Sequence, residues 1–131
     1  MNAPRKDPRV LLIDDDPDFC TVMKALAEEI NIELDCYSSF EEIGGIEKLE
    51  GYALALFDYD LGSENGLELA EYVDFFCQNV PVIIVSGVSN LRKTCRLWPD
   101  SVRSFVSKKD GIYPILQVIT DYVCPDSFHY Q

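Results

Sequence analysis

At 131 residues the chain is the size of one domain, and a hydrophobic content of 47% is ample for a single core. A formal net charge of −12 opposes binding of nucleic acid, whose phosphate backbone needs a basic footprint. No apolar stretch is long enough to span a bilayer, and the polar residues 1–9 lack the apolar centre of a signal peptide, so neither membrane insertion nor secretion is expected.

The cysteines point the same way. Cys20, Cys36, Cys77, Cys95 and Cys124 are odd in number and widely spaced, with no Cys-x-x-Cys, and read as reduced thiols of a cytoplasmic protein. His129 is the only histidine, which disfavours a zinc site. Arg92, Lys93 and Arg96 form the only local basic cluster, either a solvated helix face or a docking patch for an acidic partner. Residues 1–8 are expected to be a flexible N-terminus, 9–124 one folded domain and 125–131 a C-terminal tail.

Along that domain, Val10-Leu11-Leu12-Ile13 has the character of a buried strand and ends on Asp14-Asp15-Asp16-Pro17. Asp16 is placed to cap a helix with Pro17 at its first position, where the missing N–H costs nothing. That helix is expected over 17–30, with Phe19, Val22, Met23, Leu26 and Ile30 on one face. Residues 32–37 predict a second strand. Ser39 and Glu42 have the spacing of a capping box, which predicts a helix reaching about residue 49, weakened in its middle by Gly44-Gly45.

The apolar run 53–57 predicts a fully buried strand that stops abruptly at Asp58, with turn residues Gly62, Ser63, Asn65 and Gly66 after it. A helix over 67–78 would turn Leu67, Ala70, Val73 and Phe76 or Cys77 inward. Residues 81–85 predict a fourth strand ending at Ser86-Gly87, and 90–97 a short helix closed off by Pro99. A fifth strand over 102–106 ends at Ser107-Lys108, and a last helix begins near Pro114, which fits only a first turn, and ends near residue 123.

Strands alternating with helices imply right-handed βαβ units and a parallel sheet covered on both sides. Asp14, Asp15, Asp58, Ser86 and Lys108 then each sit at or just past the C-terminal end of a strand, where open α/β sheets place ligands. Like charges 4 Å apart repel by about 4 kcal/mol at an effective dielectric near 20, so three adjacent carboxylates need compensation. A hard divalent cation is the natural remedy: Mg²⁺ takes one or two carboxylates and retains sites for water and phosphate oxygens. Lys108 would offer an ammonium to a phosphoryl oxygen and Ser86 a hydroxyl. Asp58 is the candidate nucleophile that accepts the phosphoryl group.

On these residues the chain resembles the receiver domain of two-component response regulators, over about residues 9–123. Leu11-Leu12-Ile13-Asp14-Asp15-Asp16 is similar to the family's acidic opening, and Leu56-Phe57-Asp58-Tyr59-Asp60-Leu61 to its phosphoacceptor strand, with Asn65-Gly66 closing the loop. Ile83-Ile84-Val85-Ser86-Gly87 and Ser104-Phe105-Val106-Ser107-Lys108 are similar to its Ser/Thr and Lys strands. The resemblance implies a flavodoxin-like, doubly wound five-stranded parallel sheet of order 2-1-3-4-5 with helices on both faces.

It also implies phosphoryl transfer to Asp58 from a sensor histidine kinase or a histidine phosphotransfer protein, in a signalling phosphoacceptor that assists its own phosphorylation and dephosphorylation rather than in an enzyme. Asp15 and Asp58 would bind Mg²⁺ together with the backbone carbonyl of Asp60, while Asp14 would act mainly through water. Ser86 and Phe105 would form the switch that alters the face of the fourth helix, fifth strand and fifth helix, with a phosphorylation-dependent homodimer as a further expectation.

Gly62 and Asn65 depart from the family's frequent Pro and Asp, and Lys109 from a frequent Pro that follows a cis bond. Two other readings are weighed. A phosphatase of the haloacid-dehalogenase class would use Asp58 as nucleophile and Asp60 as general acid, but there the acidic pair follows the lysine. A degenerate receiver would serve only as a protein-binding module.

Overall fold

The computed structural model describes residues 7–62, 65–76, 79–87 and 99–124. The strands are β1 (Arg9–Ile13), β2 (Glu33–Tyr37), β3 (Leu54–Asp58), β4 (Val82–Ser86) and β5 (Val102–Ser107). The helices are α1 (Pro17–Glu29), α2 (Gly66–Phe76) and α3 (Ile112–Val123). Short 3₁₀ turns occupy Glu41–Ile43, Ile46–Gly51 and Lys108–Asp110.

All strand pairs are parallel and the order is β2-β1-β3-β4-β5, which is the flavodoxin-like doubly wound arrangement. The pleat sorts the central strands onto two faces. Leu11, Ile13, Ala55, Phe57, Val82 and Ile84 pack with Leu69, Ala70 and Val73 of α2 and with Ile43, Leu49 and Tyr52 from the 3₁₀ region. Val10, Leu12, Leu54, Leu56, Ile83 and Val85 pack with Met23 and Ala27 of α1 and with Ile115, Leu116 and Ile119 of α3. Every residue of β3 and β4 is buried, so both must lie inside the sheet.

Asp16 caps α1, its carboxylate accepting from the amides of Asp18 (3.0 Å) and Phe19 (3.2 Å). The buried stripe of α1 is narrower than expected. Met23 and Ala27 are buried and Phe19 and Leu26 partly so, whereas Val22 is 41% and Ile30 42% exposed. Ile30 lies past the last helical residue, and Val22 sits one helical step off the Met23 line.

The second expected helix is replaced by two 3₁₀ turns. Gly44 takes a left-handed φ of 94°, and Gly45 a φ of 159°, so neither continues an α-helix. The capping box expected of Ser39 and Glu42 does not form; Glu42 accepts instead from the Ser38 hydroxyl and from the Ser38 amide at 3.5 Å. In α2, Leu69 takes the inward place expected of Leu67, which is only partly buried, and Phe76 is 54% exposed rather than inward. Cys77, Gln78, the helix expected over 90–97 with its basic cluster, and the tail 125–131 lie outside the described residues. Among the described residues no helix is long and apolar enough to cross a membrane.

Candidate functional site

The chain turns sharply as it leaves β1, because Asp14 Oδ1 accepts from the Asp16 amide at 2.9 Å while the Asp14 amide donates to the Tyr37 carbonyl at 3.0 Å. That pins Asp14 with 1% of its surface exposed. Beside it, β3 pairs with β4 up to the register of Asp58 with Val85, and the Tyr59 amide donates to the Val85 carbonyl at 2.8 Å. Asp58 is thereby held at the rim, 6% exposed. Carboxylate oxygens of Asp14, Asp15 and Asp58 lie within 4.8 Å of one another, Asp15 being the exposed member.

Lys108 reaches into this group from the end of β5. Its Nζ is 2.7 Å from Asp14 Oδ2 and 3.6 Å from Asp58 Oδ2, and it lies 4.6 Å from the centre of the Phe19 ring. The contact with Asp14 Oδ2 is one of charge, since that buried oxygen receives no properly angled hydrogen bond. Among the described residues, Lys108 is the one cation paired with this group of three carboxylates. Burial and the nearby charge of Asp14 push Asp58 up to about 6, against the opposing pull of Lys108 and the Asp60 amide. Burial works to lower the Lys108 pKa, but Asp14 and Asp58 outweigh it and hold the ammonium above its ordinary value.

The other expected residues fall around this centre. Ser86 is the last residue of β4, 4% exposed and in register with Ser107, which precedes Lys108. Phe105 pairs with Ile84 in register and is partly buried against the core on the α2 side. Asp60 donates its amide to Asp58 Oδ1 at 3.4 Å, while its own Oδ1 accepts from the Gly62 amide at 3.2 Å. Its carboxylate thus shapes the loop and does not join the cluster. The Lys108-Lys109 peptide is trans, and the Lys109 amide donates to Ser107 Oγ at 3.1 Å.

Two contributors carry no clear signal in the sequence. Phe19 is expected there only as a core residue of α1, yet its ring flanks the Lys108 ammonium. Gly66 reads as a turn residue, yet a Cβ there would lie 2.5 Å from the carbonyl oxygen of Asp58, so the start of α2 presses directly on the backbone of Asp58. Asn65 fixes that start: its Oδ1 accepts from the Glu68 amide at 2.9 Å, and its Nδ2 donates to Glu68 Oε1 at 3.0 Å. A groove of about 510 Å³ runs from Asp14 and Asp15 past Cys20, Lys24 and Tyr37. Burial pushes the Cys20 thiol up to about 12, which favours its protonated form.

The fold is thus a doubly wound α/β domain of flavodoxin-like strand order, with carboxylates and an ammonium gathered at the C-terminal ends of its strands. Residues 10–120 match the response regulator receiver domain, and the chain belongs to that family. Among solved structures, response regulator TrrA from Thermotoga maritima, in complex with Mg²⁺-BeF, is 21% identical with a TM-score of 0.74, covering 88% of this chain and 98% of that one. A CheY-like receiver domain from Methanospirillum hungatei is 23% identical with a TM-score of 0.75 and covers 93% and 98%. HP1043, an orphan response regulator of H. pylori, is 16% identical with a TM-score of 0.75 and covers 92% and 99%. No curated protein matches the chain.

Proposed function

We propose that the chain is a phosphoacceptor in two-component signal transduction, taking a phosphoryl group onto Asp58. One observation carries this reading: carboxylate oxygens of Asp14, Asp15 and Asp58 crowd within 4.8 Å of one another, and among the described residues only the ammonium of Lys108 pairs with them. A hard cation fits such an all-oxygen donor set. Asp14, Asp15, Asp58 and the carbonyl of Asp60 are the groups that would hold Mg²⁺, which when bound supplies positive charge to the transferring phosphoryl group.

The chain's own residues account for the remaining steps. A carboxylate oxygen of Asp58 attacks phosphorus in line, the phosphorus–nitrogen bond of the donor phosphohistidine breaks, and the imidazole leaves with its electron pair. Lys108 neutralises one phosphoryl oxygen and Ser86 donates its hydroxyl to another. Drawing Ser86 towards the phosphoryl group would free space beside Ile84 for Phe105, its partner in register. The donor is a sensor histidine kinase or a histidine phosphotransfer protein, in the cytoplasm.

The test is intact mass after treatment with a small-molecule phosphodonor and Mg²⁺. One phosphate is expected on the wild type and none on Asp58→Ala or on wild type with chelator. Labelling of Asp58→Ala to the wild-type extent would refute the assignment.

A further inference from the structure

Burial of α2 against the sheet requires only Leu69, Ala70 and Val73, yet three further large aromatics share the helix. Tyr72 is 44%, Phe75 77% and Phe76 54% exposed. They form a continuous row with Phe40. Phe40 meets Tyr72 edge-on with centroids 5.7 Å apart, Tyr72 meets Phe76 at 4.7 Å, and Phe76 meets Phe75 at 4.8 Å. Phe40 packs against the core, so the row is anchored at one end and runs outward into solvent. Rings held this way have little freedom left to lose when something covers them. A contiguous exposed aromatic patch of this kind marks an interaction surface.

Charge selects the occupant. The exposed acids Glu41, next to Phe40 in sequence, and Glu68 and Glu71, one helical turn before Tyr72 and Phe75, share this face, and α2 carries no Lys or Arg at all. Asp74 of α2 is turned to the amides of Asp100 (2.7 Å) and Ser101 (2.8 Å), both its oxygens accepting, while Glu68 accepts from Asn65 Nδ2 through Oε1. In a chain of net charge −12, a second copy brought to this face would set like charges against each other, as would an anionic lipid surface.

We propose that Phe40, Tyr72, Phe75 and Phe76 form a docking surface for a basic amphipathic segment of a partner protein. Its apolar side chains cover the rings, and its Lys or Arg side chains meet Glu41, Glu68 and Glu71, with cation–π contacts available at the row's edge. This surface makes no use of the acidic rim and stands apart from the phosphoryl chemistry.

The test uses the full chain and a synthetic helical peptide with Leu on one face and Lys on the other, against a scrambled peptide of the same composition, followed by calorimetry. The amphipathic peptide is expected to bind at least about tenfold tighter than the scrambled one, with Phe75→Ala removing about tenfold of that affinity. Added salt should weaken binding. Phe75 is so exposed that its truncation leaves the fold intact, which circular dichroism checks, and Tyr113→Ala on α3, at a site 75% exposed, should leave binding unchanged. Equal binding of both peptides, or indifference to Phe75→Ala, would overturn the proposal. So would peptide-independent dimerisation, or binding to phosphatidylcholine vesicles, that Phe75→Ala abolishes.

Discussion

Charged side chains gather at two places along the sheet, and the two are built on opposite principles. Near the start of β1, Arg9 pairs with Asp35 at 3.0 Å and Glu33 at 3.7 Å and lies 4.5 Å above the Tyr52 ring, while the Tyr52 hydroxyl donates to Asp35 at 2.6 Å. That cluster is half open to water and its donors meet acceptors, so it needs nothing from outside. At the C-terminal rim, two of three carboxylates are buried, and among the described residues only the ammonium of Lys108 pairs with them. A self-satisfied cluster stiffens a fold. A buried cluster of like charges instead shifts the pKa values of its members, as functional sites commonly do.

Neutralising one member of the rim should sharpen the contrast most. Asp58→Asn removes a charge whose pKa rises from 3.8 in the unfolded chain to about 6 in the folded one. The folded state keeps that proton to higher pH than the unfolded state does, so wild-type stability declines as pH rises from about 4 through about 6. In chelator at pH 7.5 the Asn variant should therefore be more stable by on the order of 2–3 kcal/mol, and the advantage should vanish below about pH 4. Urea melts across that range check both sign and window. A variant no more stable than wild type at pH 7.5 would mean the rim is already compensated.

Gly66→Ala disturbs the same rim without altering a charge. Its Cβ would meet the Asp58 carbonyl oxygen at 2.5 Å, so backbone must move, at a cost of about 1–3 kcal/mol. Thermal melts should show that loss, and phosphate uptake should slow with it. At the opposite cluster, Tyr52→Phe removes one hydroxyl and leaves Asp35 its contact with Arg9, so a loss of about 1 kcal/mol is expected, with phosphate uptake unchanged.

Much of the rim is legible in the residue order alone. The apolar runs ending on Asp14, Asp58, Ser86 and Lys108 mark strands by length and composition, and a parallel sheet necessarily gathers their ends on one rim. Where local signals compete, the residue order misleads. The Ser39 and Glu42 spacing suggests a helix that Gly44 and Gly45 do not allow, and the period of α2 does not distinguish Phe76 as a surface ring from Phe76 as core. Periodicity records which residues share a helical face, but not how wide a stripe the sheet will cover.

What the sequence determined by itself was the order of elements and the chemical types at the strand ends, because burial of apolar runs and the punctuation of Asp, Gly and Pro act locally. Only the tertiary structure decided that Lys108 lies nearer Asp14 than Asp58, that Phe19 flanks it and that Gly66 abuts the backbone of Asp58. Those are distances between residues far apart in the chain, and they follow from how the strands stack in register rather than from any neighbour in sequence.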